Sequence, residues 1–352
     1  MKKEYKFMDL FTSIPSKKYQ ILQKEIKNKW KFPVISQSQN FIEWYSDNIE
    51  KVIENKWIIV FWDHTTVLKY VDFNFIIGAD GVKLLKNKNK KDNLLYLYYL
   101  LSYNNVKQEW FKRHYSILKE KKIYKHTNIQ EQQKIADFLS SIDKEITLLK
   151  KEKKSVEEYK KGMMQKIFSQ ELRFKDENGK YFGEWEEKEL GEICKIRTGK
   201  LNANAAIKNW KYRFYTCAKD FYYIDNYKFD TEALLISWNW ANVWYIHYYK
   251  GKFNAYQRTY VLDEFENNNI LYIKYILDKI LYKRIQEEKK GGWTPYITLD
   301  TLAKMKFKLP ALKEQQKIVD FLFSIDEEIK LIDKKIKRIE DFKKGVMQRL
   351  FS

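Results

Sequence analysis

Two stretches of the chain carry hydrophobic residues spaced alternately three and four positions apart. They cover residues 131–169 and 314–352, neither contains proline, and each has a single late glycine. This spacing is typical of coiled-coil helices. The predicted buried positions are Ile135, Leu139, Ile142, Ile146, Leu149, Val156, Tyr159, Met163 and Ile167, and then Ile318, Leu322, Ile325, Ile329, Ile332, Ile336, Ile339, Phe342, Val346 and Leu350. We therefore expect two long helices, each roughly 57 Å long at about 1.5 Å per residue.

The two stretches are copies of one another. They align without a gap at a shift of 183 positions, and 24 of their 39 residues are identical. A shift of about half the chain indicates one duplicated unit and not a solenoid of short repeats. Because each helix is too amphipathic to stand alone, we expect the two to pack on each other in an antiparallel pair.

The segments that separate the helices have a different pattern. Short runs rich in Tyr, Phe, Ile and Val alternate with turn residues, as in Ile58–Phe61 and Leu234–Ser237, which favours strands. Helical patches also occur, at residues 94–103 and 270–286. We predict an α+β chain of two mixed α/β globules separated by two long antiparallel helices. The predicted boundaries are 1–130 for the first globule, 131–169 for the first helix, 170–313 for the second globule and 314–352 for the second helix.

Charge points to a polyanionic partner. The 352 residues include 67 Lys and Arg against 47 Asp and Glu, a net charge of +20. Residues 1–130 carry +11, residues 170–313 carry +6, and the two helices together carry +3. A membrane-surface protein would concentrate its excess on an amphipathic helix, so this distribution favours nucleic acid bound by the globules. Two isolated cysteines and the lack of a long apolar stretch predict a cytoplasmic protein that does not enter a membrane.

The sequence offers no catalytic motif. It lacks the glycine-rich loop of nucleotide-binding enzymes and the Asn-Pro-Pro-aromatic segment of adenine methyltransferases. Its four histidines are scattered without the spacing of metal ligands. We expect neither a catalytic residue nor a metal site nor a cofactor in this chain, although a nuclease built from dispersed carboxylates leaves no motif.

In the first globule, polar and basic residues near strand ends are the candidates for DNA contact. One group follows the predicted strand Ile58–Phe61, and an ordinary turn is the alternative interpretation. A basic loop suits phosphate contact, although such runs are commonly solvated surface. The candidates are Asp63, His64, Thr65, Thr66 and Lys69 in the first group, Lys86, Lys88, Lys90 and Lys91 in the loop, and Arg113.

In the second globule, Gln257 and Arg258 have the side chains suited to bidentate reading of adenine and guanine. The alternative is a strand in which the arginine pairs with a nearby carboxylate. Asn239, Trp240 and Trp293 are further loop candidates, with packing as the alternative role.

Both helices begin with Glu-Gln-Gln and end with Met-Gln-x-x-Phe-Ser. Glutamate at a helix start interacts favourably with the helix dipole, which would explain the residue without any partner. A repeated surface would instead fit the same partner binding to each half. The candidate docking residues are Glu131, Gln132, Gln133 and Gln165 in the first copy and Glu314, Gln315, Gln316 and Gln348 in the second.

These helix motifs resemble the specificity subunit of type I restriction–modification systems. The resemblance rests on the Glu-Gln-Gln-Lys-Ile starts, the Lys-Lys-Gly-x-Met-Gln phrase before each helix end, Leu172-Arg173-Phe174 with Gly183-Glu184-Trp185, and Leu309-Pro310. It implies two target-recognition domains that each read half of a bipartite duplex DNA site, with the helices as spacer. It also implies two methylation subunits that bind S-adenosylmethionine, and restriction subunits that use ATP and Mg²⁺.

Two other functions are compatible with the residues alone. One is a coiled-coil scaffold whose basic globules bind another nucleic acid. The other is a self-contained nuclease or methyltransferase.

Overall fold

The computed structural model describes residues 1–22, 25–26, 31–38, 40–42, 44–54, 57–78, 81–109, 112–207, 211–237, 245–287 and 297–352. The chain divides into two compact units. The first combines residues 1–152 with 332–352, and the second consists of residues 153–331. Each unit thus contains one globule and a part of both long helices.

The first unit is built on small sheets. Its strands are β1 (Lys2–Lys6), β2 (Phe11–Ile14), β3 (Phe32–Ile35), β4 (Trp44–Ser46), β5 (Ile58–Trp62), β6 (Leu68–Val71), β7 (Ile76–Ile77), β8 (Val82–Asn87) and β9 (Lys122–His126). They form a four-stranded antiparallel sheet in the order β2-β8-β5-β6, a three-stranded sheet in the order β4-β3-β7, and the antiparallel pair β1-β9. The helices are α1 (Phe7–Leu10), α2 (Leu94–Tyr103), α3 (His114–Lys119) and α4 (Ile129–Phe168).

The predicted strand at residues 58–61 is an interior strand. All five residues of β5, the sequence Ile-Ile-Val-Phe-Trp, are buried, and β5 lies between β8 and β6. β-branched and aromatic side chains fit such a strand because they pack against neighbours on both faces of the sheet.

The second unit has a larger sheet. Its strands are β10 (Glu186–Glu189), β11 (Lys195–Thr198), β12 (Tyr212–Tyr215), β13 (Tyr222–Ile224), β14 (Phe229–Ser237), β15 (Ile246–Ala255), β16 (Thr259–Asp263) and β17 (Lys306–Leu309). Six of them form a mixed sheet in the order β11-β16-β14-β15-β12-β13, and β10 pairs with β17. The helices are α5 (Leu190–Ile193), α6 (Ile270–Glu287), α7 (Leu299–Ala303) and α8 (Leu312–Phe351).

One glycine of the second unit is required by a close approach of two backbones. Gly199, directly after β11, lies against the backbone of Ala255 and Tyr256, and a Cβ atom there would overlap the Ala255 carbonyl. The position therefore excludes any side chain.

The two long helices are present at 40 residues each, and each begins two residues before its predicted start. The side chain of Asn128 accepts hydrogen bonds from the backbone N–H groups of Gln130 and Glu131, which satisfies two free donors at the start of α4.

The helices run antiparallel, as predicted. In the first unit Asp143 of α4 pairs with Lys343 of α8 at 2.6 Å, and Lys150 pairs with Glu340 at 2.7 Å. The first unit buries Ile135, Leu139, Ile142 and Ile146 of the predicted set, and the second buries Ile318, Leu322 and Ile325. The α+β fold class and the duplicated two-helix architecture are confirmed.

Two residues of the predicted buried set are exposed. Tyr159 and Phe342 occupy equivalent positions of the repeat, and 53% and 55% of their surface is accessible. The prediction was wrong for this pair, because a strict spacing of 3.5 residues drifts around a straight helix and carries these aromatic rings off the contact line.

Candidate nucleic-acid and partner interfaces

The turn after β5 combines structural and accessible residues. Asp63 is 9% exposed, and its carboxylate accepts a hydrogen bond from the backbone N–H of Tyr115 at 2.7 Å. Its carbonyl oxygen lies 2.6 Å from Nδ1 of His114, which is fully buried. Asp63 thus fixes the beginning of α3, and its candidacy for DNA contact stays a prediction.

Lys69 is also structural. Its side chain is buried, and Nζ donates hydrogen bonds to the carbonyl oxygens of Ser36 at 2.8 Å and Asn40 at 2.6 Å. These bonds hold Lys69 within the first unit, and its contact with DNA stays a prediction.

The tip of the same turn keeps its accessibility. His64 is exposed, whereas Thr65 and Thr66 are half-buried. Thr66 has a positive φ of 57°, and its carbonyl oxygen accepts a hydrogen bond from Asn105. The turn is therefore tied to the segment after α2, with His64 as its outward side chain.

The predicted basic loop begins on a strand. Lys86 lies within β8, while Lys88, Lys90 and Lys91 follow it and are exposed. Lys86, Lys88 and Lys90 line an open groove together with Trp57, whose side chain is 59% exposed. Lysines beside an accessible aromatic ring suit phosphate contact and base stacking. The sequence-based prediction did not include Trp57, although a tryptophan directly before a buried strand could have indicated an accessible ring at the strand start.

Arg113 directly precedes α3 and is exposed. The neighbouring His114 is buried, and Arg113 is an accessible cation at this helix start, next to the exposed Lys112.

In the second unit, Gln257 and Arg258 lie in the turn between β15 and β16. Gln257 is exposed and donates a hydrogen bond to the side chain of Asn202 at 3.1 Å. Arg258 as a residue is half-buried, and its guanidinium forms no ion pair with any carboxylate of the described ranges. The alternative of a paired strand arginine applies instead to Arg197, which contacts Asp263.

Three candidates, Asn239, Trp240 and Trp293, lie outside the described residues.

An arginine that sequence reasoning missed is held between aromatic rings. The guanidinium of Arg213 on β12 lies 4.2 Å from the ring centre of Phe221 and 4.5 Å from that of Tyr249. Arg213, Lys219 and His247 line one open pocket. Burial lowers the pKa of His247, which favours its neutral form. Such a cluster offers cations and π faces on a single surface.

The two Glu-Gln-Gln starts form the same set of internal hydrogen bonds. Gln132 and Gln315 are almost fully buried. The Gln132 side chain accepts a hydrogen bond from the backbone N–H of Asn93, and Gln315 accepts the same bond from Asn269. Their amide groups donate to Asp92 and the His126 carbonyl in one half, and to Asn268 and the Pro310 carbonyl in the other.

This buried arrangement is a clamp between each long helix and the start of an earlier helix of its globule, α2 for α4 and α6 for α8. Gln133 and Gln316 extend it, because each accepts a hydrogen bond from the same Asn93 or Asn269 side chain. Gln132 and Gln315 are therefore internal anchors in this chain, and a role for them in partner docking stays a prediction.

The two glutamates of the motif differ. Glu314 is fully buried, accepts two hydrogen bonds from Arg173 at 3.0 and 2.7 Å, and accepts one from the Trp185 indole at 3.2 Å. This bonding raises the pKa of Arg173. Glu131 is 43% exposed. Glu131 is thus accessible, whereas Glu314 is enclosed by its own chain, and the docking role of both glutamates stays a prediction.

The remaining docking candidates are accessible. Gln133, Gln165, Gln316 and Gln348 are all exposed on their helices.

A second duplicated contact joins the helices to the globules. In the first unit, the Tyr99 hydroxyl donates to Asp143 at 2.8 Å while Lys343 donates to the same carboxylate and lies over the Tyr99 ring. In the second unit Tyr275, Asp326 and Lys160 repeat this triad. Burial and the neighbouring carboxylate raise the pKa of both tyrosines, so they remain protonated donors.

The same contacts between helix and globule thus occur twice, once in each unit. The family described as the type I restriction modification DNA specificity domain matches residues 2–158 and again residues 183–341. The chain belongs to this family.

Curated relatives of this family carry the same description. The specificity subunit of the type I restriction enzyme EcoDI from Escherichia coli is 34% identical over 178 residues, 49% of this chain and 38% of that protein. The MjaVIII specificity subunit from Methanocaldococcus jannaschii is 25% identical over 363 aligned positions, which cover 87% of this chain and 80% of the relative. The match to the E. coli subunit therefore spans well under half of that protein.

Solved structures of specificity subunits share the fold. The S subunit of a type I restriction–modification system from M. genitalium superposes with a TM-score of 0.67 at 18% identity, covering all of this chain and 96% of that one. A second structure, described as concerning complex assembly and conformational transition of the type I system, has a TM-score of 0.53 at 11% identity and covers 99% of this chain and 97% of that one.

Family and fold together indicate a DNA specificity subunit, which is the non-catalytic subunit of such a system. Within the described ranges, no group of three or more His, Cys, Asp or Glu side chains is arranged to hold a metal ion. Burial raises the pKa of the Cys194 thiol to about 12, so the thiolate is not formed at neutral pH. No described helix is both long and apolar enough to cross a membrane.

Proposed function

We propose that this specificity subunit reads a bipartite duplex DNA site, with one domain for each half-site. The duplicated specificity domain carries the proposal, because each copy is anchored to the long helices by its own clamp and its own triad. The proposed target-recognition domains are residues 1–130 and 170–313, and the spacer helices are residues 131–169 and 314–352.

Base reading is proposed for accessible side chains on turns, and phosphate contact for the surrounding lysines. In the second domain the turn with Gln257 and Arg258 has the required donors, and Arg213 presents a second cation between aromatic rings. In the first domain His64, Trp57 and the exposed lysines after β8 are the corresponding group. These residues carry part of the positive charge that the polyanion would neutralise.

The lengths of α4 and α8 are proposed to set the gap between the half-sites. A helix of 40 residues extends about 60 Å, which exceeds one turn of DNA at about 34–36 Å. A site split by a stretch of unread bases suits this length.

Two methylation subunits are proposed to bind the helices. Each unit displays an exposed leucine and an exposed aromatic residue on its helix pair, Leu148 with Phe342 in the first and Leu331 with Tyr159 in the second. Exposed apolar side chains repeated in both halves suit two copies of one partner. S-adenosylmethionine, ATP and Mg²⁺ would be bound by the methylation and restriction subunits, and the complex would act in the cytoplasm.

The test is to co-express the chain with methylation subunits of a related system and map methylated adenines by sequencing. We expect a split motif, and we expect Arg258→Ala to change the bases of only one half. Arg338→Ala, on the surface of α8, is the matched control and should leave the motif unchanged.

A uniform loss of methylation with Arg258→Ala, without any change of motif, would mean that Arg258 contacts phosphate. Binding that falls steeply with salt but shows no preference for a split site would favour the scaffold function instead.

A further inference from the structure

The start of α8 is covered by the segment that follows α4. Residues 170–185, here called the connector, place Arg173 on the Glu314 carboxylate and Phe174 against Phe321, with ring centres 5.8 Å apart. The backbone carbonyl of Lys175 accepts a hydrogen bond from Lys317 at 2.7 Å. An arginine, the aromatic residue next to it and one carbonyl group thus contact three successive turns of one helix face.

The same face exists on α4, where none of the described residues forms the contacts that the connector makes on α8. Glu131, Lys134 and Phe138 stand 183 positions before Glu314, Lys317 and Phe321 and are the identical residue types. Glu131 is 43% exposed and Phe138 is 46% exposed, and Lys134 is also exposed. We call Glu131, Lys134 and Phe138 the open face.

The open face has local contacts that do not hide it. The Glu131 carboxylate lies 3.5 Å from Nε2 of His126 and 4.0 Å from the Met1 nitrogen, which leaves its outer surface accessible. Burial lowers the pKa of His126, so this imidazole supplies less charge than the Arg173 guanidinium supplies to Glu314. A carboxylate, a lysine donor and an apolar ring remain in the arrangement that the connector recognises.

We propose that the open face binds a segment of a partner protein in which an arginine is directly followed by an aromatic residue. The arginine would form the fork-shaped ion pair with Glu131, the ring would pack on Phe138, and a backbone carbonyl would accept a hydrogen bond from Lys134. The chemistry follows from the covered copy, where these three contacts occur together. Binding at the open face does not depend on the proposed reading of DNA, and it can be tested without a partner subunit.

A second copy of this chain is not the occupant. Its Arg173 is already engaged with a fully buried Glu314, and the connector is held there within the same chain. A tethered segment competes at an effective concentration in the millimolar range, so it would not leave its own site for another molecule.

The probe for the test is a fluorescent peptide with the sequence of residues 170–187, titrated into the full chain and followed by anisotropy. We expect saturable binding that Phe138→Ser and Glu131→Lys each weaken by about tenfold or more, since each removes a central contact. Phe323→Ser, an equally exposed phenylalanine on α8, is the matched control and should leave the affinity unchanged.

Location is tested separately, with a photo-crosslinking group in place of the peptide's phenylalanine. Crosslinks to residues 129–139 would support the proposal, and crosslinks confined to residues 312–322 would show displacement of the connector and overturn it. Absence of binding, equal binding by the Phe138→Ser chain, or dimerisation of the chain through its own connector would also overturn it. Circular dichroism of each variant confirms that the fold is retained.

Discussion

The two glutamates of the repeated motif should differ sharply in their contribution to stability. Glu314→Ala leaves the Arg173 guanidinium and the Trp185 indole, both largely buried, without their shared acceptor. Removing one partner of a buried ion pair costs about 3–5 kcal/mol. Glu131→Ala removes a carboxylate that is 43% exposed, for which about 1 kcal/mol or less is expected.

Urea unfolding measures the free energies of the two variants, and hydrogen–deuterium exchange locates the change. We expect Glu314→Ala to increase exchange at residues 170–187 and 312–322, while Glu131→Ala leaves exchange there at the wild-type level. Glu314→Gln is the control for charge, because it keeps an acceptor for Arg173 and should be the milder change. Equal losses of stability for Glu131→Ala and Glu314→Ala would refute the assignment of Glu314 as a buried anchor.

Three further outcomes are expected. Asp143→Ala and Asp326→Ala should each lower the free energy of unfolding by about 1–3 kcal/mol, since each leaves a tyrosine and a lysine unpaired; calorimetry that finds one neutral would show unequal triads. Because burial lowers the pKa of His126, the unfolded chain takes up the proton first, so stability should fall as pH drops through about 6.5, and less so in His126→Asn. Gly199→Ala should lower the free energy of unfolding by more than about 1 kcal/mol, because the new Cβ would overlap backbone atoms. Gly162→Ala, in open space within α4, should raise that free energy by about 1 kcal/mol, and equal shifts of the melting temperature in the two variants would contradict both assignments.

The architecture could be predicted from the sequence because the repeat shows that there are two equivalent helices, which a single hydrophobic pattern would not show. The spacing from Ile135 to Ile146 and its copy from Ile318 to Ile329 determines both helices, and the duplication determines their pairing. The starts were missed by two residues because capping by Asn128 depends on side-chain geometry that hydrophobic spacing does not report.

The site residues were harder to predict, because the sequence does not show whether a given polar side chain is buried or exposed. Gln132 and Gln315 have the composition of surface residues, yet the neighbouring Asn93 and Asn269 backbones bring donors to them across the fold. Lys69 was a candidate because of its charge, but its ammonium group donates hydrogen bonds to two carbonyl groups that lie about thirty residues away in the sequence. Trp57 and Arg213 became candidates only when exposure and ring geometry were known.

The first unit is formed by two separate stretches of the chain, which has a consequence for synthesis on the ribosome. The second unit is one continuous stretch, residues 153–331, so all of it has been made before the last part of the first unit appears. The first unit waits for residues 332–352, which bring Lys343 to Asp143 and Phe351 to Tyr96. We therefore expect the second unit to finish folding before the first unit during synthesis. Until the end of α8 leaves the ribosome, the apolar side chains of α4 in the first unit stay exposed and can be bound by chaperones.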